Sequence, residues 1–157
     1  MNREIKFRAW DKKSKKIREV NFIAFHNKRD AFSFNPSNTP KVIHLWGRDM
    51  IEQKDIILHR EENDVILMQF TGLKDKNEVE IYEGDICKVT YFNHSSPNSV
   101  IIQEVTFNNG TFELKAKNNL GLQLEDSRLY VPLYWSLVPN KIEVIGNIYE
   151  NPELLKK

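Results

Sequence analysis

Four lysines, Lys12, Lys13, Lys15 and Lys16, with Arg18 two residues further on, stand between two apolar stretches near the start of the chain. Cations at this spacing can neutralise successive phosphates. The neighbouring Trp10 and Phe7 offer flat faces on which bases can stack. The chemistry open to this segment is therefore nucleic-acid binding. The competing reading is a solvated hairpin tip, because lysine also keeps edge strands from pairing with other chains. The first eighteen residues carry eight basic groups against two acidic ones, a local charge of +6; the whole chain is only +1, so the rest carries −5. Such asymmetry can mark a nucleic-acid contact. The near-neutral total is nevertheless unlike the basic signature of most nucleic-acid binders, and the solvated tip is preferred.

Other reactive types are scattered. His26, His44, His59 and His94 show no HxH, HExxH or Cys-His spacing, so they are expected as structural or exposed histidines rather than metal ligands. Cys87 is the single cysteine. It permits no intramolecular disulfide and no two-thiolate metal site, and it suits a reducing cytoplasm. Between Ile86 and Lys88 it reads as a small buried apolar residue. Glu78, Glu80, Glu83 and Asp85 supply oxygens that a hard cation would need, but not in EF-hand spacing. Solvated turn and strand residues are expected instead, with Asp85 accepting backbone hydrogen bonds. The six glycines are isolated, which excludes GxGxxG, Walker and GxSxG loops. Tyr130, Tyr134 and Trp135, near Pro132 and Pro139, form an aromatic group of the kind found at interfaces. Core packing is the preferred reading for them. No catalytic residue, cofactor or metal is expected. An enzyme assembled from His44, His59 and the central carboxylates is a third reading.

These residues need a scaffold, and the scaffold is more legible. With 157 residues, 40% hydrophobic and 11% aromatic, the chain fits one globular domain or two small ones. At this length roughly 68–70% of the unfolded surface can be buried. The beginning of the chain lacks the apolar core of a signal peptide, and no apolar run suits a membrane span. A cytoplasmic protein without membrane partners is expected. Ile5, Phe7 and Ala9 alternate with Lys6, Arg8 and Trp10, which predicts a strand. Residues 11–16 are read as an exposed polar tip, and Ile17–Phe25 as the returning strand. Phe32 and Phe34 suggest a short strand before the turn residues 35–40. Val42 to Trp46 reads as a strand or short helix, and Ile56-Ile57-Leu58 favours a strand. Val65–Phe70 is a further strand. Gly84 is expected at positive φ before a strand from Ile86. Ser95–Ser99 reads as a loop, Val100–Phe107 as a strand, and Asn108-Asn109-Gly110 as a hairpin turn. Leu129–Trp135 and Ile142–Tyr149 supply more strands, and Asn151-Pro152 opens a terminal helical turn. Short strands punctuated by turns predict a mainly β (β-rich α+β) protein. An N-terminal β-hairpin region over residues 1–64 is followed by a β-barrel-like part over 65–157, with the polar stretch 60–64 as boundary.

Three ordered segments carry a resemblance: Arg3-Glu4-Ile5-Lys6-Phe7-Arg8-Ala9-Trp10-Asp11; Met68-Gln69-Phe70-Thr71-Gly72-Leu73-Lys74-Asp75 with Ile81-Tyr82-Glu83-Gly84-Asp85-Ile86; and Glu143 through Leu155. Together they resemble the YopX family from start to end, with residues 19–64 and 90–140 matching loosely. The resemblance implies a phage or prophage protein of Gram-positive bacteria. It also implies a C-terminal barrel similar to the Src-homology-3 type, and it brings no catalytic residues. One departure is visible: after Lys-Asp-Lys the family often has Asn-Gly, whereas here Asn77 precedes Glu78. The expectation that results is a non-enzymatic accessory protein acting through binding. Its partners would be a second copy of the chain or a phage or host protein. Nucleic acid at Lys12, Lys13, Lys15, Lys16, Arg18 and Trp10 is the alternative.

Overall fold

The computed structural model of the protein describes residues 4–27, 41–48, 55–93, 96–116, 130–132 and 142–156. Twelve strands run through them: β1 Phe7–Asp11, β2 Lys16–Val20, β3 Phe22–Asn27, β4 Lys41–Arg48, β5 Asp55–Glu61, β6 Val65–Lys74, β7 Glu80–Tyr82, β8 Asp85–Asn93, β9 Ser96–Asn108, β10 Thr111–Ala116, β11 Tyr130–Pro132 and β12 Ile142–Asn147. They form three antiparallel sheets, in the orders β2-β1-β6-β7, β3-β4-β5 and β11-β10-β9-β8-β12. The expected strand-rich class is what the structure shows; a Src-homology-3 barrel is a finer statement than these pairings make. Among the described residues no helix is long and apolar enough to cross a membrane. Phe32, Phe34, the 35–40 turn, His94, Tyr134, Trp135 and Pro139 lie outside the described residues.

Backbone contacts divide the chain into two compact units: Ile5–Gln69, and Phe70–Lys157 together with residues 1–4. The division falls within β6, whereas the sequence suggested 64/65. In the N-terminal unit, β1 and β2 form the expected hairpin, with Asp11 opposite Lys16 and Phe7 opposite Val20. The return stretch is two strands rather than one. Exposed Asn21 forms a bend, so that β2 stays with β1 while β3 joins β4. Buried Ala9 and Val65 make the unit's core cluster, with Val20, Ile23 and Leu67 packed against it.

Among the described side chains, the C-terminal unit has the larger cluster. Ile81, Cys87, Val89, Val105, Phe112, Leu114 and Ile142 are buried together, with Leu73 and Val144 against them. Cys87 and Val89 alternate along β8, as do Phe112 and Leu114 along β10, so period two builds this face. The thiol of Cys87 is therefore buried, as expected. The β9–β10 hairpin turns on Asn109 (φ +48°) and Gly110 (φ +83°), the pair of positive φ values that a type I′ turn requires. β9 begins at Ser96, so Pro97 lies within a strand rather than a loop. A short 3₁₀ turn spans Glu62–Asp64 and another Pro152–Lys156.

Candidate functional site

The basic hairpin is built on its one buried acid. Asp11 ends β1 and is fully buried, although the sequence suggested an exposed tip residue. Its backbone carbonyl accepts from Lys15 N–H at 2.8 Å, closing the loop, and Lys15 takes φ +52°. The carboxylate accepts Lys13 N–H at 3.1 Å on Oδ1 and the Ser14 hydroxyl at 2.7 Å on Oδ2. Arg60 then donates from Nε at 3.0 Å and Nη2 at 2.9 Å, a bidentate pair. Burial alone would raise the Asp11 pKa. The hydrogen bonds from Arg60 and Ser14 outweigh it and lower the value from 3.8 to about 2. The Arg60 guanidinium is pushed up in turn by the same carboxylate.

The 3₁₀ turn fastens the tip. Lys12 N–H donates to the Asp64 carbonyl at 2.9 Å and Lys12 Nζ to the Asn63 carbonyl at 2.7 Å. Lys13 Nζ meets the Asp64 carboxylate at 2.6 Å, which raises the lysine pKa. Of the residues proposed for phosphate or base contact, Lys12, Lys13 and Lys15 are exposed on this tip. Lys16, Trp10 and Phe7 are half-buried, and Arg18 is buried, with Nη2 donating to the Ser14 hydroxyl at 3.3 Å. Arg60 and Asp64 were missed by sequence reasoning. Arg60 falls at the start of the polar stretch 60–64 that the sequence offered as a boundary, so no local signal marked it.

The central carboxylates do not converge. Glu78 is exposed, with Lys74 at 3.6 Å; Glu80 accepts from the Tyr82 hydroxyl at 2.8 Å; buried Asp85 accepts from Tyr82 N–H at 2.8 Å. Asp85 thus braces the Glu83-Gly84 turn. Gly84 has φ +77°, as expected; its N–H donates to the Val105 carbonyl and its carbonyl accepts from Ile148 N–H. Asp75 is also buried. It accepts from the N–H groups of Asn77 at 2.7 Å, Val79 at 3.0 Å and Val144 at 2.9 Å. Lys76 reinforces that junction through Glu143 at 2.7 Å, which lowers the glutamate pKa. Glu78 has φ +64°, so a residue other than glycine holds a left-handed position in this turn. Burial raises the pKa of Glu104, against the opposing effect of Lys115. Among the described side chains no group of three or more histidine, cysteine, aspartate or glutamate residues comes together as a metal site.

The third segment is equally architectural. A Cβ on Gly146 would lie 2.5 Å from Asn151 Oδ1, so the close approach of that side chain demands glycine. Asn147 is buried; its Oδ1 accepts from Tyr149 and Glu150 N–H at 3.0 and 2.9 Å, and its Nδ2 donates to Glu150 at 2.7 Å.

The model of the YopX protein family matches residues 6–156. The chain belongs to the YopX protein family. No curated protein matches it. Among solved structures, the crystal structure of protein EF1440 from Enterococcus faecalis is similar, with 27% identity and a TM-score of 0.53. The match covers 98% of this chain and 99% of that one. The crystal structure of yopX from Bacillus subtilis is 21% identical, with a TM-score of 0.52 over 97% of this chain and 96% of that one. At that identity the second likeness speaks for the fold alone. Within the family segments, Asp11, Asp75, Asp85, Gly146 and Asn147 all serve the backbone or a local ion pair.

Proposed function

We propose that this YopX family chain is a phage or prophage accessory protein that acts by binding rather than by catalysis. The cytoplasm of a Gram-positive host cell is its proposed setting. The supporting observation is the use of its buried acids: Asp11, Asp75 and Asp85 each accept hydrogen bonds within their own unit. Groups so engaged hold turns and strands in place. The Gram-positive setting draws support from the solved relative of Enterococcus faecalis. The partner proposed is a second copy of the chain or a phage or host protein, and a C-terminal barrel of the Src-homology-3 type is its proposed scaffold. Light scattering on purified protein, with capture from host and phage-infected lysates, tests this reading. Self-association or a reproducible partner is expected. A monomer that captures nothing overturns it.

The second reading, nucleic-acid binding at the hairpin, draws on exposed Lys12, Lys13 and Lys15 presented by one closed loop. Anisotropy titrations with single- and double-stranded DNA and RNA test it. Duplex affinity should fall with salt at a log–log slope of about −0.9 per phosphate contacted. Absence of binding at low salt removes this reading.

A further inference from the structure

The chain contains a single Asn-Gly pair, Asn109-Gly110, and it forms the tip of the β9–β10 hairpin. Both residues are exposed. Thr111 pairs with Asn108 across the turn, so the last exchange of the ladder uses those two residues and leaves the Gly110 N–H outside it. Gly110 has no side chain to shield that nitrogen, and among the described residues nothing lies within 4 Å of the point a Cβ would occupy. Other asparagines are held more firmly. Asn108 Nδ2 donates to Glu113 Oε2 at 3.4 Å, Asn147 Oδ1 accepts from Tyr149 and Glu150 N–H, and Asn151 Oδ1 accepts from Asn147 N–H at 3.4 Å. Each of these three is also followed by a residue that carries a Cβ.

We propose that Asn109 is a site of spontaneous covalent modification, with water as the co-reactant, that loosens the β9–β10 hairpin as the molecule ages. The Gly110 nitrogen attacks Asn109 Cγ. That bond forms, the Cγ–Nδ2 bond breaks, and the amide proton leaves with ammonia. Water then opens the cyclic imide. Cleavage between Cγ and the Gly110 nitrogen leaves aspartate; cleavage between the main-chain carbonyl carbon and that nitrogen leaves isoaspartate. Water is taken up and ammonia released, with no oxidation or reduction. The left-handed turn must open for the nitrogen to reach Cγ, and local opening is easiest at exposed loops. The two products differ in effect. Aspartate still suits the turn, since Asp-Gly is among its preferred pairs. Isoaspartate routes the backbone through its side chain and lengthens the loop by an extra backbone atom. Loop length fixes hairpin register. The register here sets Phe112 opposite Phe107 and Leu114 opposite Val105. Phe112, Leu114 and Val105 belong to the buried cluster, and the rings of Phe107 and Phe112 stand 5.0 Å apart. A lengthened loop therefore strains the packing of the C-terminal unit.

Ageing the full folded chain at growth temperature in mildly alkaline buffer tests the proposal. Isoaspartyl methyltransferase is the probe, and peptide mass mapping places the label. Methyl acceptance should rise with time and map to residue 109. Asn109→Gly should abolish that signal and keep the fold, because a Gly-Gly pair also takes both positive φ values; circular dichroism checks the fold. The methyl-accepting fraction should unfold at a lower urea concentration than fresh chain, whereas freshly prepared Asn109→Asp should unfold with the fresh chain. No label at residue 109, or label there only in chain held unfolded in urea, overturns the proposal. So does equal acceptance by Asn109→Gly, or an isoaspartate fraction as stable as fresh chain.

Discussion

In the N-terminal unit the buried carboxylate of Asp11 meets a guanidinium; in the C-terminal unit that of Asp75 accepts, among the described residues, from backbone N–H groups. Among the described side chains, the first unit clusters Ala9 and Val65, while the second buries seven residues together, including Phe112, Leu114 and Ile142. An ion pair of this kind is weak evidence of net stability, since desolvation offsets much of its attraction. Breaking one side of it is nevertheless costly. At these two acids the N-terminal unit therefore depends on the match of two charges, whereas the C-terminal unit depends on turn geometry.

The sharpest way to break this comparison is to remove one partner of each acid. Arg60→Ala should cost about 3 kcal/mol in urea denaturation, the lower end for an orphaned buried charge, because Lys13 N–H and the Ser14 hydroxyl still bind Asp11. Asp75→Ala should cost somewhat less, about 2 kcal/mol, since it orphans neutral amides that water can partly reach. If Asp75→Ala proves the more damaging, the contrast between the units is wrong.

Acid separates them in a second way. The folded chain holds Asp11 ionised down to a pKa of about 2, against 3.8 ordinarily. Its stabilising contribution is complete above the ordinary value and is lost as pH falls towards 2. The loss should be about 2 kcal/mol between pH 5 and pH 2. Urea midpoints of the unaltered chain and Asp11→Asn over that window check this; the difference between them should shrink as pH falls. The smallest effect should favour stability. Glu78 carries a left-handed backbone in the turn that Asp75 braces. Glu78→Gly should stabilise by about 0.5–1 kcal/mol in thermal unfolding, with loss of the exposed Lys74 contact counting for little.

The structure explains why the family segments were readable while a site was not. Gly84 and the Asn109-Gly110 turn declare themselves because positive φ restricts residue choice locally. Gly146 is different: its requirement comes from Asn151, folded back onto it. The basic tip shows the same limit. Lysines in a row announce an exposed loop, but nothing in Asp11 announces its burial or its pairing with the distant Arg60.

Sequence by itself determined the strand-rich class, the hairpin turns, the burial of Cys87 and the family. Each follows from alternation, local backbone restriction or ordered motifs, which operate over a few residues at a time. Only tertiary structure decided that Asp11 pairs with Arg60, that Asp75 reaches Val144, and that His44 stands opposite His59. Those outcomes depend on strand register between segments far apart in the chain. A shift of one residue would put every residue of a strand on its other face, and no local pattern records which register is taken.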